Sequence, residues 1–144
     1  MKRPIVIPLG LFLVACALPC LQMKTEALYG GVILLMGWMG MFAGVWGWFA
    51  NPLFLLGLLF GALGKRVPAM VFGALAVLVA LTVFGSVGKE LPGDEGGVTK
   101  TAIVGLMPGA YLWLLGVILL PVTGYFVKGR EVVVAPPPFA GGGR

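Results

Sequence analysis

The sequence predicts an all-α integral membrane protein, a bundle of four to five transmembrane helices, and three observations support this class. Of its 144 residues, 60% are hydrophobic and only 10% are charged, whereas soluble domains carry about 25% charged residues. The mean hydropathy is +1.06. The apolar residues lie in long runs without charge, and basic pairs such as Lys2-Arg3 and Lys65-Arg66 flank these runs. Lipid can contact apolar side chains directly, so such a chain needs no polar coat.

Five charge-free segments supply the predicted helices of a single helical membrane domain, residues 1-130. A membrane span needs about 20 residues, and all segments except the third, which has about 14, are long enough. Residues 88-101 are rich in Gly, Pro and charge and predict an aqueous loop. Residues 131-144 contain three consecutive prolines and predict a disordered C-terminal tail. The five segments are 4-23, 27-49, 51-64, 67-87 and 102-127.

Charge and length disagree on the number of crossings. If residues 27-64 cross only once, seven basic residues lie inside and three outside, which is the asymmetry that the positive-inside rule requires. Yet 38 residues would form about 57 Å of helix, nearly twice the hydrocarbon thickness. Proline disfavours helix at the residue before it, so a break is predicted at Asn51-Pro52, with Asn51 as the cap of the next helix. Four full crossings plus one partial helix are favoured, and five stay open.

The first segment allows two interpretations. The residues from Leu13 to Cys16 fit a bacterial lipobox after a basic start and a short apolar region, which would lead to cleavage and lipidation of Cys16. Alternatively, the segment is an uncleaved first span in which Cys16 is a small core residue. Cys16 and Cys20 would lie on one helical face. A disulfide, a metal clip or a redox pair is conceivable there, and two unreactive buried thiols are the preferred interpretation.

Glycines recur at helical spacing and predict close helix packing. In the second segment four glycines are spaced three, four and three residues apart, which places them within an arc of about 80° on a helix. Small residues let neighbouring backbones approach where lipid offers no hydrophobic drive. Internal packing is the preferred interpretation, and a stripe that faces a partner or a second copy stays open. The predicted packing residues are Gly37, Gly40, Gly44, Gly47, Gly57 and Gly61.

The sequence predicts no catalytic, cofactor or metal site. It contains no His, which is the commonest metal ligand and general base, and two cysteines are too few for a zinc site. The carboxylates of Glu90, Asp94 and Glu95 cluster in a Gly/Pro loop without fixed geometry. The basic residues form no stripe, so nucleic acid is not an expected partner. The polar residues within the apolar segments do not ionise near neutral pH, which argues against a proton relay: Asn51, Thr82, Ser86, Tyr111, Thr123 and Tyr125.

Two motifs resemble those of a functionally uncharacterised family of small bacterial multi-span membrane proteins. The first is Gly37-Trp38-Met39-Gly40, followed by Trp48-Phe49-Ala50-Asn51-Pro52-Leu53, and the second is Tyr111-Leu112-Trp113-Leu114. The resemblance covers residues 27-120. It implies a multi-pass location in the bacterial inner membrane, and it implies no activity.

We therefore expect a protein that is not an enzyme and that acts as a structural or accessory component of a membrane assembly. Its expected partners are membrane lipid and either a second copy or a larger membrane protein, because the glycine stripes suit helix association. The alternative is the binding or passage of a neutral or lipid-like small molecule between the helices. This alternative predicts a pocket near Asn51, Thr82 and Tyr111.

Overall fold

The computed structural model describes residues 3–92 and 98–126 and combines helices with a four-stranded antiparallel sheet. The prediction of an all-α bundle is therefore wrong. The predicted tail, residues 131-144, and the basic residues Lys128 and Arg130 lie outside the described residues.

The first apolar segment is a helix followed by a strand. Helix α1, Arg3–Ala17, ends before Leu18, and strand β1 occupies Pro19–Met23. Because the residue before a proline is driven towards extended backbone, the Leu18-Pro19 step ends the helix and begins the strand. The chain then turns, with the Met23 amide donating to the Glu26 carbonyl at 2.8 Å. Strand β2, Ala27–Tyr29, pairs with β1 in antiparallel fashion.

The last apolar segment reverses this order, with a strand before a helix. Strand β4, Lys100–Leu106, contains three β-branched residues, Thr101, Ile103 and Val104, which favour the pleated conformation. Met107 is extended (φ −107°, ψ 168°), and Pro108 occupies the first turn of helix α5, Pro108–Tyr125, where proline fits well. The predicted loop over 88-101 thus contains strand β3, Glu90–Pro92, and the start of β4.

The four strands lie in the order β2-β1-β4-β3. The central pair joins the first and the last apolar segment, with Leu21 opposite Leu106 and Met23 opposite Ile103. The buried side chains of Leu21, Met23 and Ile103 form a small core of their own beneath this pair. The sheet is therefore a second layer that covers one end of the helices.

The second segment does not form a single helix. It is divided into the short helix α2, Gly30–Met36, and two 3-10 turns, Gly37–Ala43 and Gly47–Phe49. Gly44 adopts a φ of 72° between the turns, a left-handed conformation that favours glycine. The break in the helical run therefore lies at residues 44–46, earlier than the predicted Asn51-Pro52.

Helix α3, Ala50–Ala62, includes both residues of the predicted break. Pro52 lies in its first turn, where backbone N–H groups have no carbonyl acceptor within the helix. Proline, which lacks an N–H, therefore loses no hydrogen bond there. The residue at the N-cap is Phe49, and no side chain caps this helix. The prediction that Asn51 caps the helix is therefore wrong, and its amide side chain has a different partner.

Helix α4, Arg66–Ala80, continues as a 3-10 turn over Leu81–Ser86. Helix α5 packs against both α1 and α4, and α4 packs against α3. The core of this layer includes the stacked rings of Phe12 and Phe54, whose centroids are 5.0 Å apart, and the buried Val117 and Leu120. Glycines at the crossings permit this close approach.

Two helical stretches among the described residues are long and apolar enough to cross a membrane, Arg66–Ser86 and Pro108–Tyr125. Helix α1 and the helical run 47–62 are shorter than a span. The expected four to five crossing helices are not found in this part of the chain. The reason is that parts of the predicted segments form strands, which leaves fewer residues for the helices next to them. These strands are β1, β2 and β4.

Candidate functional site

A cavity of about 420 Å³ lies where the helical layer meets the sheet. Its wall includes the end of α1, the start of α5, the first turn of α3, and residues from β1 and β3. Residues 30–48, which contain α2 and the 3-10 turns, form much of the remaining wall. The cavity therefore depends on the break at Gly44, which folds this segment around the space.

The wall of the cavity is apolar and carries no Lys, Arg, Asp or Glu among the described residues. Val32, Met36 and Met39 line it and are also 49%, 59% and 37% exposed. These three side chains mark an opening to the outside of the molecule. Because they are hydrophobic, the opening favours molecules that arrive from an apolar medium.

Two indole N–H groups in the wall are already paired. Trp113 Nε1 donates to Asn51 Oδ1 at 2.8 Å, and Trp48 Nε1 donates to the Leu34 carbonyl at 2.9 Å. Asn51 is only 5% exposed, so its carbonyl oxygen replaces water as the acceptor for a half-buried indole. These bonds fix the positions of both aromatic rings beside the cavity.

Ser86 lines the same cavity and has a different status. The residue is 1% exposed, and its Oγ has no hydrogen-bond partner among the described residues. Its backbone carbonyl accepts from the Lys89 amide at 3.1 Å, which fixes the position of the main chain. A buried hydroxyl without a partner costs free energy, which distinguishes Ser86 from the other polar groups of the wall.

The two cysteines line one end of the cavity but do not share a helical face. Cys16 is near the end of α1, whereas the buried Cys20 belongs to β1. Burial, with a smaller contribution from Cys16, raises the pKa of the Cys20 thiol to about 11. Cys20 is therefore protonated at neutral pH and is a poor nucleophile or metal ligand. No group of three metal-ligating side chains exists within residues 3–92 and 98–126.

Helix α1 bears on the predicted lipidation of Cys16. Phe12, which precedes Cys16, belongs to the main hydrophobic core, and α1 packs along α5. A cleavage before Cys16 would remove both contributions. This packing favours the uncleaved interpretation of the first segment.

The predicted glycines contact different parts of the molecule rather than one neighbouring helix. Gly37 faces the Trp48 ring, Gly40 faces Val45, and Gly47 faces Val83. The four glycines of this segment do not form a single helical face, because Gly44 ends the first 3-10 turn. Gly57 and Gly61 do serve helix packing, since side chains of α5 and α1 approach them. These contacts are all internal to the chain.

The predicted pocket shares only one of its three residues with the observed cavity. Asn51 lines the cavity, whereas Thr82 and Tyr111 are exposed and do not. The cavity instead contains Ser86, whose hydroxyl has no hydrogen-bond partner among the described residues. The sequence identified Ser86 only as one of several polar residues in apolar segments, and nothing local distinguishes it.

Comparisons with protein-family models, with curated proteins and with solved structures find no match for this chain.

Proposed function

We propose that this chain is a non-enzymatic protein of the bacterial inner membrane that binds a small, uncharged, apolar molecule in the cavity between its helices and its sheet. The single observation that carries the proposal is the 420 Å³ cavity, whose wall is apolar and has no charged side chain among the described residues. Ligand sites in proteins are concave, mostly apolar and provided with a few polar groups, and this cavity has those features.

The outer faces of the helices support a membrane location. Of the most apolar 18 residues within Arg66–Ser86, only 22% are buried inside the protein. A core helix of a soluble protein buries most of its apolar side chains. Val67, Val71, Leu75 and Leu78 are each more than two-fifths exposed and recur at spacings of four, four and three residues. Such a continuous apolar stripe suits contact with lipid acyl chains.

The size and charge of the cavity define the class of molecule. A volume of about 420 Å³ lies within the range of about 300–1,000 Å³ that small-molecule sites occupy, towards its lower end, so it suits a small ligand. An ion would lose its hydration without finding a counter-charge in the wall. The exposed apolar residues at the opening give such a molecule a route from the lipid.

The role expected from the sequence, an accessory component of a membrane assembly, has less support. It rested on glycine stripes suited to association and on the lack of a catalytic constellation, and the glycines of the second and third segments contact residues of the same chain. The apolar outer faces are equally suited to lipid, so they do not call for a protein partner.

Quenching of tryptophan fluorescence by a brominated hydrocarbon tests the binding function. The full chain in phospholipid nanodiscs would carry Trp38→Phe and Trp46→Phe, because these two tryptophans are exposed and would respond to probe in the lipid. The remaining Trp48 and Trp113 line the cavity. We expect 1-bromododecane to quench them with a saturable component.

Two matched variants on one helical stretch localise the probe. Val83→Phe places a larger side chain in the cavity wall, whereas Val71→Phe places the same side chain on the exposed face of α4. We expect Val83→Phe to weaken saturable quenching about tenfold, because it fills space that the probe needs, and Val71→Phe to have no effect. Equal quenching in the two variants would contradict binding in the cavity.

A further inference from the structure

We infer that Ser86 binds the polar end of the ligand, and that the ligand is a single-headed amphiphile: a hydrocarbon body that carries one uncharged hydroxyl or carbonyl oxygen. The inference rests on the proposed binding function and specifies its substrate class. It follows from counting the polar groups of the cavity wall and asking which of them already have partners.

Almost all polar groups in the wall are engaged within the protein. Both indole N–H groups donate to oxygen acceptors, and one of these acceptors is the Asn51 side chain. The Cys20 thiol lies 3.5 Å from the Ala15 carbonyl, with its Sγ as the weak donor. Within the described residues these bonds occupy both indole N–H groups, the Asn51 Oδ1 and the Cys20 thiol, but they do not use the two N–H donors of Asn51 Nδ2, which could assist a ligand oxygen.

The Ser86 hydroxyl is the buried side-chain group within residues 3–92 and 98–126 that is left without a hydrogen bond. A hydroxyl can donate one bond and accept others, so it suits either an alcohol or a carbonyl oxygen. Ser86 lines the cavity but its Oγ is buried, so a ligand would reach the hydroxyl after a rotation about the Cα–Cβ bond between staggered positions. One hydroxyl without a partner can recognise one polar atom.

The surroundings of Ser86 restrict that polar atom to an uncharged group. The neighbouring wall offers Val83 on the same 3-10 turn and Leu91 and Pro92 on β3. A carboxylate or an ammonium group placed there would be desolvated with a single hydroxyl as compensation. The Lys89 ammonium, three residues from Ser86, already donates to the Gly44 carbonyl. Fatty alcohols or apolar ketones therefore fit better than fatty acids or amines.

Three brominated probes of equal chain length test the inference in the nanodisc assay with Trp48 and Trp113 as reporters. The probes are 12-bromododecan-1-ol, 1-bromododecane and 12-bromododecanoic acid at neutral pH. In the protein with Ser86 intact, we expect the alcohol to bind about fivefold more tightly than the alkane, because one net hydrogen bond is gained. The acid is expected to show no saturable quenching.

Ser86→Ala provides the matched variant. We expect it to reduce the affinity for the alcohol to that for the alkane, and to leave the affinity for the alkane unchanged. Equal binding of alcohol and alkane to the unmodified protein would overturn the role of Ser86 while leaving the binding function intact. A lack of saturable quenching by all three probes would instead overturn the binding function itself.

The stability of the ligand-free protein gives an independent readout. Because Ser86→Ala removes a buried hydroxyl that has no partner, we expect the variant to melt a few degrees above the unmodified protein. A lower melting temperature would mean that the hydroxyl is hydrogen-bonded within the protein, and the inference would be wrong. Ser86→Thr, which retains a hydroxyl, should preserve the preference for the alcohol.

Discussion

The buried side chain of Asn51 is held by a residue that is far away in the sequence. Trp113 and Asn51 are separated by 62 residues, and their hydrogen bond connects α5 to the first turn of α3. The carbonyl of Asn51 is thus used for a tertiary contact rather than for helix capping. In an apolar interior such a bond has no water to replace it, so the loss of either partner is costly.

Asn51→Ala is expected to destabilise the protein by about 1–3 kcal/mol, because the Trp113 indole N–H would remain buried without an acceptor. The measurement is thermal unfolding in mild detergent, followed by the fluorescence of Trp113. Thr82→Val serves as the control: Thr82 is exposed, and its hydroxyl donates only to the Val79 carbonyl of the same helical stretch. Equal melting temperatures for Asn51→Ala and the unmodified protein would contradict the prediction.

Where α4 crosses α5, the two backbones approach closely at Gly73. A methyl group built on Gly73 would lie 3.0 Å from both Cδ and N of Pro121. Pro121 lies within α5, and its ring cannot rotate away. This crossing therefore requires a residue without a side chain on α4.

Gly73→Ala is expected to lower the free energy of unfolding by about 1–3 kcal/mol, because the added methyl group must push two helices apart. The matched control is Gly10→Ala in α1, where nothing lies within 4 Å of the added methyl group. That variant should be neutral or should stabilise the protein by about 0.5–1 kcal/mol, because alanine favours the helix. Thermal unfolding of both variants side by side would show the difference, and equal stabilities would refute it.

At the scale of the whole molecule, the charged residues lie at opposite ends of the helical layer. Lys24, Lys89 and Lys100 belong to the sheet end, whereas Lys65 and Arg66 lie in the turn between α3 and α4. The Arg66 guanidinium lies 4.2 Å above the ring of Tyr125, the last residue of α5. Both stretches that could span a membrane thus connect the sheet end with this basic turn, Arg66–Ser86 starting at the turn and Pro108–Tyr125 ending beside it. This end is expected to face the cytoplasm, because Lys65 and Arg66 flank the short turn between two helices there.

Labelling of single cysteines tests this orientation in cells. In a background with Cys16→Ala and Cys20→Ala, Lys24→Cys at the sheet end should react with a membrane-impermeant maleimide added to spheroplasts. Lys65→Cys should react only after permeabilisation. Both positions are exposed, so burial does not limit the reaction. The reverse pattern would invert the proposed orientation, and labelling of both positions from outside would exclude a chain that spans the membrane.

The amino-acid sequence determined where the chain is apolar and where two of its helices run. The predicted segments 51-64 and 67-87 correspond closely to the observed helical stretches 50–62 and 66–86, because hydrophobic length and flanking charge are local properties. Asn51 was predicted as a helix cap, which was wrong, and its importance for stability stays a prediction.

Only the tertiary structure decided the sheet and the cavity. The strands at 19–23 and 100–106 lie largely within segments that were predicted as helices, and Leu21 pairs with Leu106, 85 residues later in the chain. Such pairing depends on partners that no local pattern reveals. The cavity is likewise a product of packing, because it forms where a segment broken at Gly44 closes over α1, α3 and α5. Ser86 is significant only because folding buries its hydroxyl beside that space without a partner among the described residues.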